Sequence, residues 1–285
     1  MSPNNRRRYK PRHRARRRSF TALSIAAIII IAAAAAIYSY AKTARQQTAS
    51  LPDTEAAALL QVSVPDDTPE QIKHYTGFTV SFNAECHVPN YVAWELTADK
   101  ARGRLPRKSD FRADPDIDGC ATLEDYRRSG YDRGHMAPAA DMKWSAAAMS
   151  DCHYLTNIAP QAQPLNTGAW ATLEENCRSW AIRDSAIYVV CGPILTDMAM
   201  RHIGKSGVAV PQRYFKVVIA PYANPPRGIG FIMPNRRVAG GVQATATTID
   251  HIEAITGYDF FAALPDEIET TIESQSNYPL WQRKI

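Results

Sequence analysis

Apolar and polar positions sort the chain into segments. Ser19 to Ala41 is an uncharged run centred on Ala26-Ala27-Ile28-Ile29-Ile30-Ile31-Ala32. At helical rise it spans about 35 Å, enough to cross a hydrocarbon core. Residues 42–70 are punctuated by Pro52, Pro65 and Pro69 with interleaved Asp and Thr, which predicts a linker. His74–Phe82 and Val92–Leu96 are rich in aromatic and β-branched residues and predict strands. Residues 99–118 hold Gly103, Pro106, Pro115 and many charges, so a loop is expected, and Ser145–Cys152 reads as a short helix. Leu165–Ile182 steps its apolar positions by three and four and predicts the clearest helix. Ala186–Cys191, Tyr214–Ala220 and Gly228–Met233 are near-continuous apolar runs, the mark of strands buried on both faces. Thr248–Thr256 predicts a helix with Ile249, Ile252 and Ile255 inward. Strands and helices do not alternate regularly, which favours α+β over a doubly wound sheet. No period of 20–50 residues repeats, against a solenoid.

Composition adds limits. With 285 residues, 45% hydrophobic and 21% charged, the chain can bury a sizeable core and is not disordered. The net charge of +5 is uneven. Residues 1–18 carry nine Lys and Arg and no acid, whereas the remainder holds 24 basic against 28 acidic residues. A basic tail before an apolar span predicts a cytoplasmic N-terminus and a signal anchor at 19–41, with a cleaved signal peptide as the alternative. The rest of the chain is then expected outside the cytoplasm, periplasmic or extracellular. Any nucleic-acid binding has to come from a local basic site, with affinity that falls as salt rises. Five cysteines, at 86, 120, 152, 177 and 191, include no C-x-x-C pair, which argues against structural zinc. Cys191 is expected free and buried. One or two disulfides among the other four are plausible outside the cytoplasm.

Chemistry concentrates in Tyr131-Asp132-Arg133-Gly134-His135-Met136-Ala137-Pro138. His135 can take a proton near neutrality, Arg133 offers a fork for phosphate, and Gly134 permits an unusual backbone angle or a close approach. On residue types alone a surface loop with a coincidental His fits equally. Further on stand Asn157-Ile158-Ala159-Pro160-Gln161, then Asn166, Trp170 and Glu174 at steps of four on one expected helical face. An amide oxygen and a carboxylate suit Mg²⁺ rather than Zn²⁺, although an N-cap and a solvated Glu read the same way. Cys152-His153 is read as ordinary packing.

Together these motifs resemble the DNA/RNA non-specific endonucleases, the ββα-metal (His-Me finger) enzymes related to endonuclease G. The likeness rests on Asp132-Arg133-Gly134-His135, on Asn157–Gln161 with Leu165, Asn166 and Trp170, and on Val190-Cys191-Gly192-Pro193. Val210-Pro211 with Phe215–Val218, and Ile252-Glu253 with Thr256–Phe261 and Leu264, extend it over residues 74–265. It implies an α+β fold with a mixed or antiparallel central sheet flanked by helices, in a domain at 71–280. It further implies an endonuclease cutting DNA and RNA to 5′-phosphate ends. In that role His135 is the general base, Asn166 holds Mg²⁺ (or Mn²⁺), Glu174 orients a metal-bound water and Asn157 supports the site. Arg133, Arg107 and Asp132 would contact substrate. Arg107 is chosen from a loop that also holds Arg102, Arg104 and Lys108. Family members often dimerise, so a homodimer is a further expectation. The alternatives are a module that binds nucleic acid without cutting it, and a phosphodiesterase or phosphatase acting on another ester.

Overall fold

The computed structural model describes residues 58–196 and 200–282. The expected anchor at 19–41 and the basic tail lie outside them. Among the described residues no helix is long and apolar enough to cross a membrane.

Thirteen strands are described: β1 (Val62–Ser63), β2 (Gln71–His74), β3 (Thr79–Asn83), β4 (Val88–Thr97), β5 (Asp132–His135), β6 (Ile158–Gln161) and β7 (Ala186–Pro193), followed by β8 (Arg201–Ile203), β9 (Val208–Val210), β10 (Arg213–Ala220), β11 (Arg227–Pro234), β12 (Ala246–Thr247) and β13 (Asp259–Phe260). Seven of them form one antiparallel sheet in the order β12-β11-β10-β7-β4-β3-β2. Its centre is the set of apolar runs expected as strands. Alternate residues of each run face opposite ways. Ile187, Val189 and Cys191 enter one core cluster, and Tyr188 and Val190 the other. Both faces are covered, which is why these antiparallel strands read as unbroken apolar runs. The long helix Ala171–Asp184 buries Leu173, Cys177 and Trp180 on one face. Helices Ile249–Thr256 and Asp266–Glu273 bring Ile249, Ile252 and Ile272 to the other. The first of these is capped by Thr248, whose hydroxyl accepts from the His251 N–H, and closed by Gly257 at φ +74°.

Three sequence expectations change. The run His74–Phe82 is a hairpin, β2 and β3 around a turn at 75–78, because Tyr75 and Phe78 stack on each other inside the turn and keep it aromatic. The supposed linker is folded from residue 58: Leu59 is buried, and β1 pairs with β13. All five cysteines are free thiols, with Cys152, Cys177 and Cys191 buried.

Candidate active site

β5 and β6 form a two-stranded antiparallel ribbon that pairs His135 with Ile158 and Asp132 with Gln161. The long helix follows. The segment Asp132–His135 is therefore a strand and not a loop. Gly134 has an ordinary backbone angle, and its lack of a side chain matters because a Cβ there would run into the buried Gln161 side chain. Asn157 is fully buried and spends its amide on backbone: Oδ1 accepts from Ala137 N–H, and Nδ2 donates to the carbonyls of Ala137 and Cys152, all at 2.9 Å. It fixes the chain just beyond His135 and supports the site from behind. Trp170 Nε1 donates to the His135 carbonyl at 3.2 Å and adds a second strut.

The helix does not begin at Leu165. Leu165–Trp170 is a widened turn, interrupted at Gly168 (φ −107°, ψ −113°), and regular helix starts at Ala171. Asn166 and Glu174 do face one way, as expected, but Trp170 leaves that face. Trp170 points into the core, while Asn166, Ala171 and Glu174 line a cavity. Their steps are five and then three, as a turn with i→i+5 bonding requires.

That cavity, about 380 Å³, is lined by His135, Asn166 and Glu174 together with Arg107 and Arg133. A neighbouring one of about 560 Å³ shares Arg107, Arg133 and Asn166 and adds Phe111, Arg127, Arg128 and Tyr131. Arg102, Arg104 and Lys108 line neither, so Arg107 is the loop's contribution. The Arg133 guanidinium lies 4.4 Å from the Phe111 ring centroid, which holds it over the cleft without neutralising it. Asp132 lines the larger cavity and has a further contact. Its Oδ2 accepts from Asn166 Nδ2 at 2.9 Å, so it orients Asn166. With its nitrogen committed, Asn166 keeps Oδ1 as the free atom. A free amide oxygen beside the Glu174 carboxylate is a hard-oxygen donor set, which fits Mg²⁺ or Mn²⁺.

Electrostatics separate the titratable groups. Burial first, then His153, Arg107 and Arg133, push the His135 imidazole down to about 3, so it stays neutral. Burial raises the Glu174 carboxyl to about 7, against the pull of Lys216. Two buried charged residues here, Lys216 and Asp141, were not singled out from sequence. Lys216 is fully buried, its ammonium 4.3 Å from the Trp170 ring centroid and 5.2 Å from that of Trp94. Asp141 accepts from Arg178 at 3.1 Å and from Trp94 Nε1 at 3.2 Å. The signal for Lys216 was available, since it is the one charge within the apolar run Tyr214–Ala220. His153, expected as ordinary packing, stands with its ring centroid 5.3 Å from that of His135.

Residues 55–267 match the model of the DNA/RNA non-specific endonuclease family. The chain belongs to this family. Mouse mitochondrial nuclease EXOG is 33% identical over 242 residues, 79% of this chain and 65% of that protein. Human mitochondrial endonuclease G is 34% identical over 205 residues, 67% of this chain and 69% of its own length. The alignment with zebrafish EXOG likewise spans only 61% of that protein. Among solved structures, that of the EndoG/EndoGI complex superposes with a TM-score of 0.67 at 29% identity, covering 73% of this chain and 92% of that one. In this chain the antiparallel sheet and the β5–β6–helix unit are the framework on which the cleft residues are mounted.

Proposed function

We propose that this protein is a divalent-cation-dependent endonuclease that hydrolyses phosphodiester bonds of DNA and RNA and leaves 5′-phosphate ends. The observation that carries this reading is the convergence of His135, Asn166, Glu174, Arg107 and Arg133 on one cavity. His135 accepts the proton of the attacking water on Nδ1, because its Nε2 is turned inward. A bare imidazole held near 3 is a weak base, and a phosphate anion in the cleft strengthens it. Arg133 and Arg107 bind the phosphate and offset the charge that grows on it in the transition state. Asn166 Oδ1 and Glu174 are the groups that would hold the Mg²⁺ or Mn²⁺, directly and through water. When bound, the cation supplies Lewis-acid stabilisation of the phosphate and of the departing 3′ oxygen. Contacts to phosphates rather than to base edges tolerate any sequence and either sugar. The apolar run at 19–41 and the basic tail before it support an extracytoplasmic location for the domain, anchored by its N-terminus.

The test is incubation of the purified chain with supercoiled plasmid and with RNA, with Mg²⁺ or with EDTA. Degradation of both polymers that stops in EDTA and in His135→Ala supports the reading. Binding of either polymer without cleavage in any divalent cation overturns it in favour of a non-catalytic binding module.

A further inference from the structure

Behind the general base lies a second group of metal-binding side chains, different in kind from the first. A ring nitrogen of His135, a ring nitrogen of His153 and Cys152 Sγ all lie within 4.8 Å of one another, and all three residues are buried. The Nε2 atoms of both imidazoles are sealed from solvent and have no hydrogen-bond partner. Two unpartnered imidazole nitrogens in one dry pocket cost stability unless something fills the gap. His153 is also held as a metal ligand is held. Its Nδ1 stands 2.8 Å from the Met149 carbonyl, an acceptor, so Nδ1 carries the proton and Nε2 carries the lone pair. Phe111 packs against both rings, at 5.2 and 5.1 Å between centroids, and screens the pocket from water.

We infer that Cys152, His153 and His135 form a site for a borderline-soft divalent cation such as Zn²⁺, and that its occupation switches the nuclease off. Thiolate and imidazole select Zn²⁺ over Mg²⁺, whereas Asn166 and Glu174 select the reverse, so the two sites do not compete for one ion. The cavity under Arg107 and Arg133 reaches His135, the least buried of the three. On binding, the Cys152 S–H bond breaks, the S–metal bond forms and the proton passes to bulk water. Three protein ligands leave one coordination position for water. Coordination of His135 through Nε2 leaves its single proton on Nδ1. The nitrogen that faces the cleft then has no lone pair with which to accept the proton of the attacking water. The binding part stands on the pocket alone; the inhibition rests on His135 being the base.

Equilibrium dialysis of the full chain against Zn²⁺ in excess Mg²⁺ tests the site. One Zn²⁺ per chain is expected, with affinity at least about tenfold lower in Cys152→Ser and in His153→Phe. Co²⁺ bound to the unaltered chain should show a thiolate-to-metal charge-transfer band, which requires no variant to fold. In cleavage assays Zn²⁺ should inhibit in a way that added Mg²⁺ does not relieve. Absence of the thiolate band, equal Zn²⁺ affinity in Cys152→Ser, or displacement of Zn²⁺ by Mg²⁺ would each overturn the proposal. If the chain cuts neither DNA nor RNA under any condition, dialysis and the Co²⁺ band still decide the site, so the two readings fail separately.

Discussion

Both faces of the seven-stranded sheet are sealed by helices, but they treat buried charge differently. On the face under the long helix, Asp141 is matched by Arg178, Lys216 lies between two tryptophan rings, and Asn166 is matched by Asp132. Burial works against the Lys216 ammonium, yet the Cys191 and Cys177 sulfurs and the Glu174 and Asp141 carboxylates outweigh it and hold its pKa above the ordinary value. On the opposite side, Glu273 is buried with Oε1 unpartnered, in the company of Asp250 and Glu253. Burial first, then Glu253, Glu269 and other neighbouring acids, push its carboxyl up to about 8. The first face sets its buried charges beside opposite ones. The second sets a buried carboxyl among other acids.

Changes on the two faces should therefore register in different assays. The largest effect is expected from His135→Ala, which should lower cleavage by roughly 10³-fold while binding of plasmid persists; a loss below tenfold would remove His135 from the role of base. Asn166→Ala should lower the rate by about 100-fold and raise the Mg²⁺ concentration needed for half activity. An unchanged Mg²⁺ titration would move the ligand elsewhere. Asp132→Ala removes only the group that turns the Asn166 amide, so a loss of about tenfold is expected, again with a weaker Mg²⁺ requirement. If Asp132→Ala instead alters substrate KM alone, Asp132 touches substrate after all.

The smallest effect belongs to the opposite side. A carboxyl whose folded pKa is raised contributes stability that is fully present below its unfolded value and is lost as pH rises through the folded value. For Glu273 that window runs from the ordinary glutamate range to about pH 8. Glu273→Gln should raise the melting temperature at pH 8.5 relative to the unaltered chain, by a few degrees at most, and leave cleavage unchanged. A stability difference that does not grow between pH 5 and 8.5 would show that Glu273 is charged in the folded state.

The strands at the sheet centre were legible because propensity and burial agree there. Ala186–Cys191, Tyr214–Ala220 and Gly228–Met233 have no competing local preference. Asp132–His135 was not legible as a strand. Four residues of mixed polarity become one only by pairing with Ile158–Gln161, far along the sequence. The residues of the site were legible through the family motif, but their arrangement was not. Equal steps of four put Trp170 beside Asn166, and the widened turn that overrides this has no marker beyond Gly168. The pairing of Asp132 with Asn166 and the approach of His153 to His135 are tertiary facts, invisible to spacing.

The widened turn also sets which changes of length the cleft can absorb. It accommodates one residue more than a regular helix would between Asn166 and Ala171. Deleting a single residue there, Thr167 for instance, would let the helix run on regularly. Asn166 would then stand seven residues before Glu174, about two regular turns, and still on the same side of the axis. Every residue of the signature would survive, in order and nearly in place. A second deletion would find no surplus residue to absorb it, and Asn166 would turn about 100° away from Glu174.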